Sequence, residues 1–178
     1  WSSDVCSSDL ETQLGRTPRD VHGIAYRCHC GNPAVIETPP RLSDGTPFPT
    51  FYYATCPRLT AAISTLETTG MMAEMEERLK NDQVLADKYR RAHELYQAAR
   101  DALGIDVPEV KGITAGGMPD RVKCLHSLIA HSLAAGEGVN PLGDEAKAEL
   151  PKWWVNEYCR DRTSTRLNSS HVKRSRMP

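Results

Sequence analysis

The chain has 178 residues, 39% hydrophobic, 25% charged and 6% aromatic, with 22 Lys and Arg against 23 Asp and Glu for a formal charge of −1. This is the size and mix of one domain with a modest core. No apolar run reaches the roughly 18 residues that a transmembrane helix needs, and no period of about 20–50 residues recurs.

The two ends are related at the level of DNA. A sequence that encodes residues 164–171 also encodes residues 1–6 on its complementary strand in another frame, and its extension supplies residues 7–10. Both stretches read as translated sequencing adaptor, so 1–10 and 163–178 are set aside from fold reasoning, the latter as a disordered tail. The chain begins at Trp1 rather than Met, so the expectation is that its natural N-terminus is truncated. Residues 11–162 are read as a single domain. Removing Asp4, Asp9, Arg166, Lys173, Arg174 and Arg176 takes the formal charge from −1 to −3. Such a domain lacks the basic footprint of nonspecific nucleic-acid binding.

Along the chain, residues 21–27 and 34–38 predict a hairpin around a Cys/Gly/Asn/Pro turn. A loop rich in Pro and Gly follows over 39–49, and Phe51, Tyr52 and Tyr53 mark a third strand over 51–55. Pro57 opens a helix with Leu59, Ala62, Ile63 and Leu66 at helical spacing, ending at Gly70. Met72, Met75 and Leu79 form another apolar stripe. Asn81 or Asp82 caps a longer helix to about Leu103, with Leu85, Tyr89, Ala92 and Tyr96 on one face and His93 in solvent. Residues 105–117 predict a loop. Asp120 is placed as the cap of a helix through Val122, Leu125, Ile129 and Leu133, and a last short helix covers 143–150 before Trp153 and Trp154. Strands gathered before helices predict an α+β fold, a small antiparallel sheet of about three strands followed by four to six helices.

Cys6 belongs to the excluded end, which leaves Cys28, Cys30, Cys56, Cys124 and Cys159. An odd count without secretory features favours a reducing compartment, where cysteines serve more often as metal ligands or reactive thiols than as disulfides. Cys28 and Cys30 sit at the hairpin tip, and the third strand returns Cys56 to it. This topology lets three thiols converge, and Cys124 or His126 offers a fourth donor for tetrahedral zinc. On a regular helix Cys124 and His126 are about 200° apart, so both serve only if the first turn is unwound. The expected metal set is Cys28, Cys30, Cys56 and Cys124, against the simpler reading of small buried thiols. His22 and His29 are expected to be exposed, and His131 to be a hydrogen-bonded face residue.

Cys124 carries a second reading. A thiol in the first turn of a helix, near Arg121 and Lys123, has its thiolate favoured, and His126 is the candidate base for a nucleophile acting on a phosphorylated or acyl substrate. The methionines 71, 72 and 75 and Trp153 are candidate contacts for a protein partner, with core packing as the alternative.

The motifs Arg27-Cys28-x-Cys30-Gly31-x-Pro33, Asp44-Gly45-Thr46-Pro47-Phe48-Pro49-Thr50-x-Tyr52-Tyr53-x-Thr55, Val122-Lys123-Cys124-Leu125-His126 and Asn140-Pro141-x-Gly143 together resemble the bacterial DUF501 family. The resemblance spans about 14–154. It implies a cytoplasmic bacterial protein without assigned chemistry, linked through neighbouring genes to cell division or polyphosphate metabolism. It transfers no catalytic residue.

Overall fold

The computed structural model describes residues 7–18 and 20–155. Cys6, Cys159 and the tail at 163–178 lie outside the described residues. The element order is α1 (Ser7–Leu14), β1 (Gly23–Arg27), β2 (Pro33–Glu37), β3 (Tyr52–Ala54), α2 (Pro57–Glu67), α3 (Met71–Asn81), α4 (Gln83–Asp101), a 3₁₀ turn at Pro108–Val110, α5 (Leu125–Ala135) and α6 (Pro141–Ala148). The three strands form one antiparallel sheet in the order β1-β2-β3, and five α-helices follow it. The fold is α+β, as the grouping of strands before helices predicts. α1 precedes the sheet and crosses the sequence boundary drawn at residue 10, with Leu10 fully buried.

β2 is the middle strand, and its first four residues are buried. In β3 only Tyr52 is buried, while Tyr53 is exposed. α5 is the central helix. It carries the fully buried Leu125, Leu128 and Ile129, and packs on β3 and on α6. The approach of α6 depends on Gly143. A Cβ there would lie 2.3 Å from the Leu128 carbonyl oxygen, so the two backbones come this close only without a side chain.

α4 buries Tyr89, Ala92, His93, Tyr96 and Arg100. His93 was expected in solvent, but it follows Ala92 on the buried stripe, where Nδ1 lies 2.9 Å from Thr114 Oγ1 and Nε2 meets Gln97. Arg100 donates to the Val110 carbonyl at 3.0 Å and to the Ile113 carbonyl at 2.6 Å. The Val110 carbonyl, which also accepts the Ile113 N–H at 3.0 Å, and the Ile113 carbonyl are thereby tied to α4. Trp153 and Met75 are buried, at 7% and 0% exposure, so core packing uses both. No helix among the described residues is long and apolar enough to cross a membrane.

The start of α5 differs from expectation. Asp120 is exposed and caps nothing, and the helix begins at Leu125. The preceding loop is held open by side chains of three other helices. The Val122 N–H donates to Glu76 Oε1 at 3.1 Å, the Leu125 N–H to Glu67 Oε1 at 2.7 Å, and Tyr89 donates to the Arg121 carbonyl at 3.0 Å. Gly117 adopts φ of +95°, and a Cβ on it would lie 2.8 Å from the Arg121 carbonyl oxygen. These contacts favour a looped backbone over four more residues of helix.

Candidate functional site

Cys124 is the N-cap of α5, with φ −159° and ψ 113°. An extended N-cap removes the 100° per residue of a helix, so Cys124 and His126 no longer diverge as they would in a regular first turn. Both line a cleft of about 460 Å³. Its other walls include Tyr52, Tyr53 and Ala54 of β3 and Thr60 of α2.

α2 supplies the remaining polar groups. Its apolar face, Leu59, Ile63 and Leu66, turns to the core, with Leu59 and Ile63 fully buried. The neighbouring stripe Thr60, Ser64 and Glu67 has the same i, i+4, i+7 spacing. His126 Nδ1 lies 3.1 Å from Glu67 Oε1, and Nε2 lies 3.2 Å from the Thr60 carbonyl and 3.4 Å from Ser64 Oγ. A carbonyl only accepts, so Nε2 carries the proton that points at Thr60. Nδ1 then faces the carboxylate either with a second proton or with its lone pair.

Glu67, Cys124 and His126 each place one donor atom within 4.8 Å of the other two, and this group could hold a metal ion. The side chains of His126 and Glu67 are 29% and 24% exposed, so the group is reachable from solvent. Burial pushes the Cys124 thiol up, but His126 and the N–H and hydroxyl of Ser127 outweigh it and hold the thiol below its ordinary value. His126 is pushed up to about 9, first by the Cys124 sulfur and then by Glu67. Without a metal ion each of these two groups stabilises the charged form of the other.

This is not the four-thiol set expected from sequence. Among the described residues, no group of three or more donors this close contains Cys28, Cys30 or Cys56. Cys124 belongs to the cleft, whereas Cys28 and Cys56 are 3% and 1% exposed at the hairpin end of the sheet. Glu67 was missed. It ends a helix whose apolar stripe accounts for its sequence, and the parallel stripe of Thr60, Ser64 and Glu67 was the available signal.

The other histidines do not join the site. His22 and His29 are exposed, and His29 stacks on Trp154 with ring centroids 4.6 Å apart. His131 is buried, with Nδ1 3.2 Å from Asn140 Nδ2 and its ring stacked on Tyr52. Arg121 and Lys123 are exposed and do not line the cleft.

Residues 24–148 match the family model described as Protein of unknown function (DUF501). The chain belongs to the DUF501 family. No curated protein and no solved structure matches it. In this DUF501 protein the matched span contains Glu67, Cys124 and His126 and all of the sheet except Gly23 at the start of β1.

Proposed function

We propose that this DUF501 protein binds a zinc ion through Glu67, Cys124 and His126 and turns an open coordination position toward the cleft. The meeting of three Lewis bases carries the reading. His126 directs Nε2 to the Thr60 carbonyl and Nδ1 to the Glu67 carboxylate, and a backbone carbonyl on the far ring nitrogen is the usual partner of a metal-bound histidine. Two donors of a tetrahedral zinc at about 2.0–2.1 Å lie about 3.3 Å apart, close to the observed 3.1 Å. A mixed N, O and S set suits zinc better than magnesium or calcium, which take oxygen donors. Three protein ligands beside a cleft are the pattern of zinc sites that activate a water or polarise a carbonyl, rather than of closed structural sites. Among the described residues, the cleft lining contains no Lys or Arg, which favours an uncharged carbonyl ligand over a phosphate.

Competition with a chromogenic chelator tests this. Zinc affinity should fall at least about 100-fold in Cys124→Ser and in His126→Ala, since each removes a direct ligand. Unchanged affinity in both would overturn the assignment.

A second reading rests on the same pair. The lowered Cys124 thiol and raised His126 imidazole at the start of α5 are those of a thiolate nucleophile with its partner base. Folded protein that takes up no zinc, and in which iodoacetamide modifies Cys124 first, would favour it.

A further inference from the structure

β3 is an edge strand of the sheet, and Tyr52, Tyr53, Ala54 and Thr55 all line the cleft. Just beyond the ladder that pairs it with β2, Thr38 donates its N–H to the Phe51 carbonyl and Thr55 to the Ala34 carbonyl, both at 2.9 Å. The register between them sets Val35 against Ala54, Ile36 against Tyr53 and Glu37 against Tyr52. The alternation of an antiparallel pair therefore turns the N–H and C=O of Tyr53 to β2, and those of Tyr52 and Ala54 away from it. The Tyr52 N–H meets the Tyr96 hydroxyl at 3.3 Å. Among the described residues, the Tyr52 carbonyl and both backbone groups of Ala54 have no hydrogen-bond partner. Such a row of edge groups is a template for one more strand.

Side chains alternate across a strand, so the two faces of β3 meet different surroundings. Tyr52 stacks on His131 of α5, which places Tyr52 and Ala54 on the α5 face, where Cys124 and His126 line the cleft. Tyr53 and its partner Ile36 face the other way and line a second cavity of about 310 Å³. Leu42 and Phe48 add apolar walls to it, and Arg16 is its one charged lining residue among the described residues. Leu14 and Tyr53 line both cavities, which therefore adjoin around the edge of β3. Arg16 is exposed and has no ion-pair partner among the described residues, so its charge is open to an anionic group.

We propose that an extended peptide adds to β3 as a fourth strand and ends in the second cavity with an apolar C-terminal residue. Its backbone pairs with Ala54 and the Tyr52 carbonyl, its last side chain packs against Leu14, Ile36, Leu42 and Phe48, and its terminal carboxylate meets Arg16. One residue thereby answers both the apolar walls and the single cation of that cavity. The alternation then turns the preceding side chain to the α5 face, beside Cys124 and His126. This names the substrate class of the same cleft, and it rests on the zinc reading only in bringing a peptide carbonyl to the metal.

Calorimetric titration of the full chain, with and without zinc, tests this using N-acetyl-trialanyl-leucine as the free acid and as the C-terminal amide. The acid should bind at least about tenfold more tightly than the amide, and Arg16→Ala, at an exposed position, should erase that difference. N-methylation of successive peptide nitrogens reads the strand pairing. It should weaken binding about tenfold at every second residue and hardly at all in between. Equal effects of all the methyl groups, equal binding of acid and amide, or no binding at millimolar peptide by protein with native circular dichroism would overturn the proposal. Peptide binding by protein that takes up no zinc would uphold the proposal and sink the zinc reading, and zinc uptake without peptide binding would do the reverse.

Discussion

His126 and Glu67 meet through Nδ1 and Oε1 at 3.1 Å, and the same carboxylate oxygen accepts the Leu125 N–H at 2.7 Å. One glutamate thus both holds the first N–H of α5 and faces the imidazole that the helix presents. The consequence is a coupling between the fold at the N-terminus of α5 and the chemistry of the cleft.

Glu67→Gln should separate those two roles. The amide oxygen can still accept from Leu125, so the cost to stability should stay within about 1 kcal/mol. Zinc affinity should fall about 10–100-fold, because a neutral amide replaces an anionic donor. Chemical denaturation beside zinc titration reads both quantities, and a large stability loss with unchanged affinity would assign Glu67 to the fold alone.

Zinc should also shield Cys124. The thiol opens onto the cleft and is partly exposed, so in metal-free protein iodoacetamide has access to it. Bound zinc should slow its modification at least about tenfold, because the sulfur lone pair is engaged. Peptide mapping after timed labelling distinguishes Cys124 from the buried Cys28 and Cys56, and equal rates with and without zinc would count against a Cys124 ligand.

The buried His131 should make the protein acid-sensitive. Burial pushes its imidazole down to about 4, against about 6.5 in an unfolded chain. Between those values the unfolded chain binds a proton that the folded one refuses, so stability rises with pH from about 4 to 6.5. The full effect is about 3 kcal/mol, lost on descending to pH 4. His93, pushed down mainly by burial, acts in the same direction. His131→Gln keeps an oxygen acceptor for Asn140 Nδ2 and should flatten this part of the curve. A wild-type slope in denaturation measurements on that variant would place the acid sensitivity elsewhere.

Gly143→Ala should weaken the packing of α6 on α5. The added Cβ would stand 2.3 Å from the Leu128 carbonyl oxygen, and because that atom is backbone a helix has to move. A loss of about 3 kcal/mol in unfolding free energy is expected, and a change under about 0.5 kcal/mol would show that the helices separate easily.

The elements of the fold were legible because local signals agree with tertiary burial. Pro57 at the first position of α2 and Asp82 accepting the Leu85 N–H at 3.0 Å mark helix starts that sequence patterns give, whereas the last helix, expected over 143–150, starts at Pro141 because Asn140 caps it by accepting the Gly143 N–H at 3.0 Å. The start of α5 was misplaced because its cap is decided from a distance. Glu67, Glu76 and Tyr89 lie 58, 46 and 32 residues from the groups they hold, and no local pattern at Asp120 reveals them. His93 was misjudged for a similar reason, since its partner Thr114 comes from a separate loop. Cys124 and His126 were legible as chemistry, but their convergence required the extended N-cap, and Glu67 required the packing of α2 against α5.

The most direct test of the cleft assignment is elemental mass spectrometry on tag-free protein, comparing the parent chain with the Cys124→Ser, His126→Ala double variant. The account expects about one fewer zinc per chain in the variant, with circular dichroism showing retained helix. Equal zinc content in two folded proteins would contradict it.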